Sequence, residues 1–316
     1  MSGPTTEPSR EHLRELDRTT LLSGLSRRHR RRVLGLAAID EVASGRPIVR
    51  AGDPGEAFFV ILSGDAEVEL RTGAAKLGPG DHFGELSLID GAPRAATVLA
   101  VGDVTLARIP REAFMDLLTS EPELAAGLLP GMALVVRDLL RADASGIPDH
   151  GRVGAWRRSE EGTPIPSDQA GDFLEGRDAL GWLLLLRHVG LFAALPDQHL
   201  RRVAALFRIV RFPDGATVVF AGTRGDAMYV VLDGSARVRT PGGHVRVLGS
   251  EDCFGELALI DGAPRSATVS AVGQLTTATL GRRDFQRLLK AEPGIAVGLL
   301  QGLVKTVRDM QGSVEV

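Results

Sequence analysis

Apolar and polar positions change period several times along the 316 residues, and the changes come in the same order twice. LLSGLSRRHRRRVLGLAAI begins at Leu21 and aligns with LFAALPDQHLRRVAALFRI, which begins at Leu191, an offset of 170. Each predicts a capped helix, with Ser26 or Pro196 near its start. The period then shortens. Residues 46–50 and 216–220 read as short strands running into glycine turns at Gly52 and Gly222. AFFVILSG (57–64) and AMYVVLDG (227–234) are continuous apolar runs closed by Gly64 and Gly234, the pattern of fully buried strands. Residues 66–70 and 236–239 alternate, and glycine turns follow at Gly73 and at Pro241-Gly242-Gly243. One extra residue in the second copy moves the offset to 171, and residues 105–109 and 276–280 predict a last strand in each. The closing helical tails, GLLPGMALVVRDL (127–139) and GLLQGLVKTVRDM (298–310), align throughout. In the second, Leu300, Leu303, Val307 and Met310 form an amphipathic seam, read as docking on its own barrel or as a short homodimer seam. Pro130 stands where the other tail has Gln301, and predicts a bend or break in the first tail.

Many short strands punctuated by glycine, with helices only at the ends, predict a mainly β fold with flanking helices. The expected architecture is two jelly-roll (double-stranded β-helix) barrels, each with N- and C-terminal helices. The expected division is a polar N-terminal tail at 1–20, a first domain at 21–142, a flexible linker at 143–180 and a second domain at 181–316. Within the tail, residues 11–17 predict a short helical approach with Leu13 and Leu16 on one side. The linker is rich in Gly, Pro, Ser and charge, and its Trp156-Arg157-Arg158-Ser159 reads as exposed chain. Trp182 reads either as a cap on the first pocket or as packing at the start of the second domain.

Composition narrows the classes. Charged residues make up 24% and the formal net charge is -3, so the chain as a whole is no polyanion binder. Its single cysteine, Cys253, excludes an intramolecular disulfide framework and fits a reducing compartment. No apolar run approaches a membrane span, and the N-terminal residues lack the apolar core of a signal peptide, which together predict a cytoplasmic protein. No Ser/His/Asp, metal-spaced or P-loop pattern is present, so neither a catalytic role nor a metal or cofactor is expected.

The candidate chemistry lies in a stretch that occurs twice. FGELSLIDGAPRAATVLAVG (83–102) and FGELALIDGAPRSATVSAVG (254–273) differ only at Ser87/Ala258, Ala95/Ser266 and Leu99/Ser270. A one-turn helix after Gly84 or Gly255 would aim free N–H groups and a positive dipole end at an anion. Arg94 or Arg265 would add a planar fork of donors matched to phosphate oxygens. The carboxylate of Glu85 or Glu256 is acceptor-only, so beside a phosphate its natural partner is a hydroxyl. Phosphate plus hydroxyl on one small molecule points to a ribose phosphate.

The ordered motif FGEL-x-LI-x-G-x-PR-[AS]-AT-V resembles the phosphate-binding cassette of the cyclic nucleotide-binding domain, the family of protein kinase A regulatory subunits and the catabolite activator. The resemblance implies that Glu85 and Glu256 bind the ribose 2′-hydroxyl and that Arg94 and Arg265 bind the cyclic phosphate. It implies further contacts from the cradle residues Gly84, Leu86, Ser87, Ala95 and Ala96, and from Gly255, Leu257, Ala258, Ser266 and Ala267. In this family alanine after the arginine goes with cAMP, so Ala95 implies cAMP at the first site. Ser266 implies cAMP with cGMP admitted at the second. Family members also fold the C-terminal helix over the base, often with a stacking aromatic, and the second tail has no Trp or Tyr to serve.

The resulting expectation is a cAMP receptor with two sites, acting on a separately encoded effector protein. No helix-turn-helix, kinase, channel or cyclase is expected after the second repeat. No RRxS-type inhibitor sequence precedes the first repeat, and the N-terminal stretch is short for a dimerisation and docking region. The alternative is a cAMP-responsive nucleic-acid-binding regulator using the helix Arg27-Arg28-His29-Arg30-Arg31-Arg32, in which Arg30 replaces the apolar Leu200 of the other copy. An exposed solvated face is the plainer reading of that helix. A third reading, degenerate barrels without ligand, sits poorly with the intact Glu and Arg of both copies.

Overall fold

The computed structural model describes residues 15–16, 18–70, 73–144, 163–164 and 179–312. They fall into two compact units, Met1–Met132 and Ala133–Val316.

In the first unit a 3-10 turn at Thr20–Leu22 leads to helix α1 (Arg27–Leu34). Ser26 caps α1, its Oγ accepting from the amide of His29 at 3.2 Å, which satisfies one of the free N–H groups of the first turn. The strands are β1 (Ala38–Val42), β2 (Pro47–Val49), β3 (Ala57–Leu70), β4 (Gly73–Leu77) and β5 (His82–Phe83). A six-residue helix α2 (Glu85–Asp90) follows, then β6 (Thr97–Pro110), α3 (Arg111–Ser120) and α4 (Pro122–Ala144), whose residues from Ala133 onward belong to the second unit. All the pairings are antiparallel, in the order β1-β6-β3-β4, with β2 also on β6 and β5 also on β3. Phe59, Ile61, Phe83, Val98, Val104 and Leu106 fill the interior.

Gly64 does not close its strand, contrary to the sequence pattern. At φ +78 it bends β3, the register with β6 shifts on either side of Ser63, and the chain stays paired for fourteen residues. A side chain there would collide with the carbonyl oxygen of Asp103, so only glycine fits. The strand expected at 105–109 is likewise the second half of one long β6 that begins at Thr97.

Nor does Pro130 break the first tail. Helix α4 runs through it, and the proline ring packs near Gly24 of the N-terminal turn. Gly127 and Gly131 lie on the same helix, and a Cβ at Gly131 would overlap the carbonyl of Leu21, so the helix can sit directly on that turn.

The second unit contains a two-residue strand β7 (Thr163–Pro164) and helices α5 (Ala179–His188) and α6 (Asp197–Ala204). Strands β8 (Arg208–Phe212), β9 (Thr217–Val219), β10 (Ala227–Arg239), β11 (Val245–Leu248) and β12 (Cys253–Phe254) follow. Helix α7 (Glu256–Asp261), β13 (Thr268–Gly281), α8 (Arg282–Ala291) and α9 (Ile295–Gly312) complete it. The antiparallel order is β11-β10-β13-β8-β7, with β12 on β10 and β9 on β13. The second barrel repeats the first, and Gly234 again bends its strand at φ +83 rather than ending it. Trp182 stacks on Phe207 at 5.8 Å within this unit, which is the packing reading of that residue. Leu300, Leu303 and Val307 are buried, and Gly302 of α9 lies against the carbonyls of Gly190 and Leu191, so the tail docks on its own unit. Met310 is outside the residues whose side chains are described, as is Leu13. Of the expected linker only 163–164, which pair with β8, and 179–180 are described beyond the end of α4; the Trp156 to Ser159 segment lies outside.

Candidate functional site

The repeated stretch forms the same structure in both units. Strand β5 or β12 delivers Phe83 or Phe254 into the barrel, where it stacks on Phe59 at 5.1 Å or on Tyr229 at 4.9 Å. The next residue, Gly84 or Gly255, has φ +86 or +83 and starts the short helix α2 or α7. Gly91 and Gly262, also left-handed, end these helices. The helix-ending carboxylate then folds the turn: Oδ1 of Asp90 accepts from the Ala92 amide, and Oδ1 of Asp261 from the Ala263 amide, both at 2.9 Å.

The turn hands the chain to the arginine. The main chain of Arg94 is held on both sides, its N–H on Asp53 O at 2.9 Å and its carbonyl on Gly52 N at 3.0 Å. Arg265 repeats this with Thr223 O and Gly222 N, both at 2.8 Å. Both side chains turn inward and are only 7% and 6% exposed. Nη2 donates to Ala57 O at 2.6 Å or to Ala227 O at 2.7 Å. Nη1 donates to Gly84 O at 3.4 Å or to Gly255 O at 3.1 Å. The guanidinium lies over the ring of Phe59 at 5.6 Å, or of Tyr229 at 6.0 Å. Nε of Arg94 is buried without a hydrogen-bond partner, a donor for which an anion is the natural acceptor.

The electrostatics fit an anion site. Burial lowers the pKa of Arg94 against the opposing charges of Glu85, Glu56 and Asp53. Burial also lowers that of Arg265, against Tyr229, Asp226 and Glu256. Glu256 is pushed above the ordinary glutamate value by burial, opposed by a main-chain hydrogen bond and by Arg137 and Arg265. A carboxylate and a guanidinium that have both lost water gain by finding partners on a ligand.

Leu86, Ser87, Leu257 and Ala258 have buried side chains, so their contribution to a ligand would come through the main chain. Gly55 and Gly225 explain part of this, since a Cβ at either would collide with the Cβ of Ser87 or Ala258. Ala95 and Ser266 are exposed at the mouth of the cassette, with Ala96 and Ala267 partly buried behind them. In the first unit a cavity of about 910 Å³ joins Arg94, Phe59 and Gly55 to Met115 and Asp116 of α3. That is within the roughly 300–1,000 Å³ usual for small-molecule pockets.

Sequence reasoning did not single out Phe59 and Tyr229, which sit inside runs that read as uniformly buried strand. It also missed Arg137, whose guanidinium pairs with Asp261, 124 residues away. The alignment of the two copies carried a usable signal for Phe59 against Tyr229, and it set Arg137 against Arg308 without pointing to Asp261.

The basic helix α1 is partly engaged. Nη2 of Arg30 donates to Leu25 O at 3.3 Å, and Arg32 pairs with Glu121 at 2.9 Å. Arg30 therefore substitutes for buried Leu200 by turning its charge back onto carbonyls. Among the described residues there is no group of three or more His, Cys, Asp or Glu able to hold a metal, and no helix long and apolar enough to cross a membrane.

Residues 39–121 and 209–292 match the sequence profile of the cyclic nucleotide-binding domain. A cAMP-dependent protein kinase regulatory subunit of Yarrowia lipolytica is 31% identical over 250 residues, covering 78% of this chain and 52% of the relative. One of Eremothecium gossypii is 28% identical over 290 residues, covering 90% of this chain and 52% of the relative. The chain thus spans about half the length of the curated relatives it matches. Among solved structures, the regulatory domain of Toxoplasma gondii PKA, crystallised with cAMP, is 23% identical over 96% of both chains, with a TM-score of 0.33. Two tandem domains, each built around the same inward arginine and left-handed glycine, define the class, and the chain belongs to the cyclic nucleotide-binding domain family.

Proposed function

We propose that this chain is a cAMP receptor with two binding sites, a non-catalytic regulatory protein that changes conformation on binding and controls a separately encoded protein kinase catalytic partner. The observation that carries this reading is the inward arginine of each cassette, desolvated and aimed at the left-handed glycine that opens a helix N-terminus. In this reading Arg94 and Arg265 bind the cyclic phosphate together with the first main-chain N–H groups of α2 and α7. Glu85 and Glu256 accept from the ribose 2′-hydroxyl. Gly84, Leu86, Ser87, Ala95 and Ala96 line the first cradle, and Gly255, Leu257, Ala258, Ser266 and Ala267 the second. The kinase partner is taken from the relatives named regulatory subunits of cAMP-dependent protein kinase. The domains extend over 21–142 and 181–316, joined by 143–180, and the protein acts in the cytoplasm.

Ala95 favours cAMP at the first site, and Ser266 admits cGMP at the second. Isothermal titration of the full chain with each nucleotide tests the reading. Two cAMP sites are expected, one lost in Arg94→Ala and the other in Arg265→Ala. Absence of heat with either nucleotide would overturn it. A kinase catalytic subunit should be retained on the immobilised chain and released by cAMP; retention indifferent to cAMP would remove the kinase-partner part of the proposal.

A further inference from the structure

The second cassette contains a charge that its own repeat does not supply. Arg137 lies on α4, in the part of that helix that belongs to the compact unit Ala133–Val316, and outside the profile match at 209–292. Its Nε donates to Oδ2 of Asp261 at 2.5 Å and its Nη2 to Oδ1 at 3.1 Å, a two-pronged pair. Both side chains are 4% exposed, so neither charge has water to fall back on. Asp261 is the last residue of α7, and the same Oδ1 accepts the Ala263 amide that folds the Asp-Gly-Ala-Pro turn. Four residues after Asp261 comes Arg265, so the carboxylate held by Arg137 folds the turn that leads into Arg265, whose own main chain is held by Thr223 and Gly222.

We propose that Arg137 is a positioning residue of the second ligand site: its guanidinium clamps the Asp261 carboxylate and so fixes the turn that presents Arg265. The clamp rests on the reading of that cassette as a nucleotide site. Replacing a buried ion pair by apolar groups is often neutral or stabilising, so this pair needs a reason other than stability, and holding one turn geometry is such a reason. A second consequence is electrostatic. Asp261 raises the proton affinity of Glu256 and Arg137 lowers it, so Arg137 helps to keep the carboxylate ionised as a hydroxyl acceptor. Lysine could not replace it, because an ammonium cannot engage both carboxylate oxygens in a fixed plane.

The test uses the full chain carrying Arg94→Ala, so that only the second site reports. Into it are placed Arg137→Ala and, separately, Arg137→Met with Asp261→Asn, which retains an acceptor for the Ala263 amide and strands no buried charge. Two quantities are read: cAMP affinity by titration, and hydrogen exchange at the Ala263 amide without ligand. Both variants should lose affinity by about 10- to 100-fold, the scale of a charge-assisted hydrogen bond. Both should exchange the Ala263 amide faster, while the amides of β13 exchange as in the parent. Affinity within twofold of the parent, or unchanged exchange at Ala263, would overturn the clamp. So would a double variant that fails to fold, which would make the pair structural only. If the Arg94→Ala parent takes up no cAMP or cGMP, the receptor reading fails by itself, and exchange still decides whether Arg137 holds the turn.

Discussion

The guanidinium of Arg94 lies where a side chain on Gly84 would begin. A Cβ added at 84 would collide with Nη1 of Arg94 and stand 3.1 Å from the carbonyl oxygen of Ala57, and Gly255 has the same relation to Arg265. Two demands meet at this glycine, a left-handed φ of +86 and room for an arginine. Gly84→Ala should therefore cost about 1–2 kcal/mol of stability from the backbone conformation. It should also weaken cAMP binding at the first site by more than that strain explains, because Arg94 is pushed from its seat. Titration beside a thermal melt checks this, and a melt shift with unchanged affinity would refute it.

Arg94→Ala should reduce first-site affinity by ~100-fold or more, the order expected when one partner of a desolvated charged contact is removed. Arg94→Lys should recover only part of the loss, because its ammonium cannot span the Ala57 and Gly84 carbonyls and still face a phosphate. Two-site titration of both variants, with the second site as internal standard, is the measurement.

The jelly-roll class, the first helices with the Ser26 cap, and the form of the cassettes were legible because each is local: a repeat, a glycine, a Gly-Glu step, an arginine at fixed spacing. The uninterrupted strands β3 and β6 were not. Gly64 reads as a terminator in one dimension, and only its fit against the Asp103 carbonyl shows that it bends the strand instead. Of the bend or break expected at Pro130, the break does not occur. The ring packs beside Gly24, so tertiary contact accommodates a residue that propensity assigns to a helix break. Arg137 repeats as Arg308 in the other tail, but its pairing with Asp261 was not legible, because the two are 124 residues apart and no periodicity links a tail helix to a turn. Trp182 has two readings in one dimension because its stacking partner, Phe207, lies 25 residues further along the chain.

Glu256 should leave a signature in the pH dependence of stability. Burial, the largest cause, raises its pKa in the folded chain above the ordinary value that holds when the chain is unfolded. Between those two values the folded state binds the proton more tightly, so unfolding free energy falls as pH rises through the window. The contribution is fully present below the ordinary glutamate value and lost once pH passes the raised one. Glu256→Gln should flatten the slope there, and urea denaturation of the ligand-free chain at stepped pH measures the difference. A slope equal to that of the wild type would show that Glu256 is not the group responsible.

The docked second tail rests on Gly302. A Cβ there would overlap the carbonyl oxygen of Leu191 and lie 2.7 Å from that of Gly190, main-chain atoms that cannot rotate away. Gly302→Val should therefore cost about 1–3 kcal/mol, the usual range for overpacking. The cost should appear mainly as undocking of α9: its amides should lose exchange protection, while β13, paired to β10 over most of its length, keeps its own. Gly294→Ala is the matched control, since nothing lies within 4 Å of a Cβ at 294. It should leave exchange unchanged and stability equal or slightly higher, because alanine restricts the unfolded chain more than glycine does. If α9 closes over bound nucleotide, Gly302→Val should also speed cAMP release from the second site and leave the first unchanged. Equal release from both sites would mean that α9 contributes stability to its unit without gating its pocket.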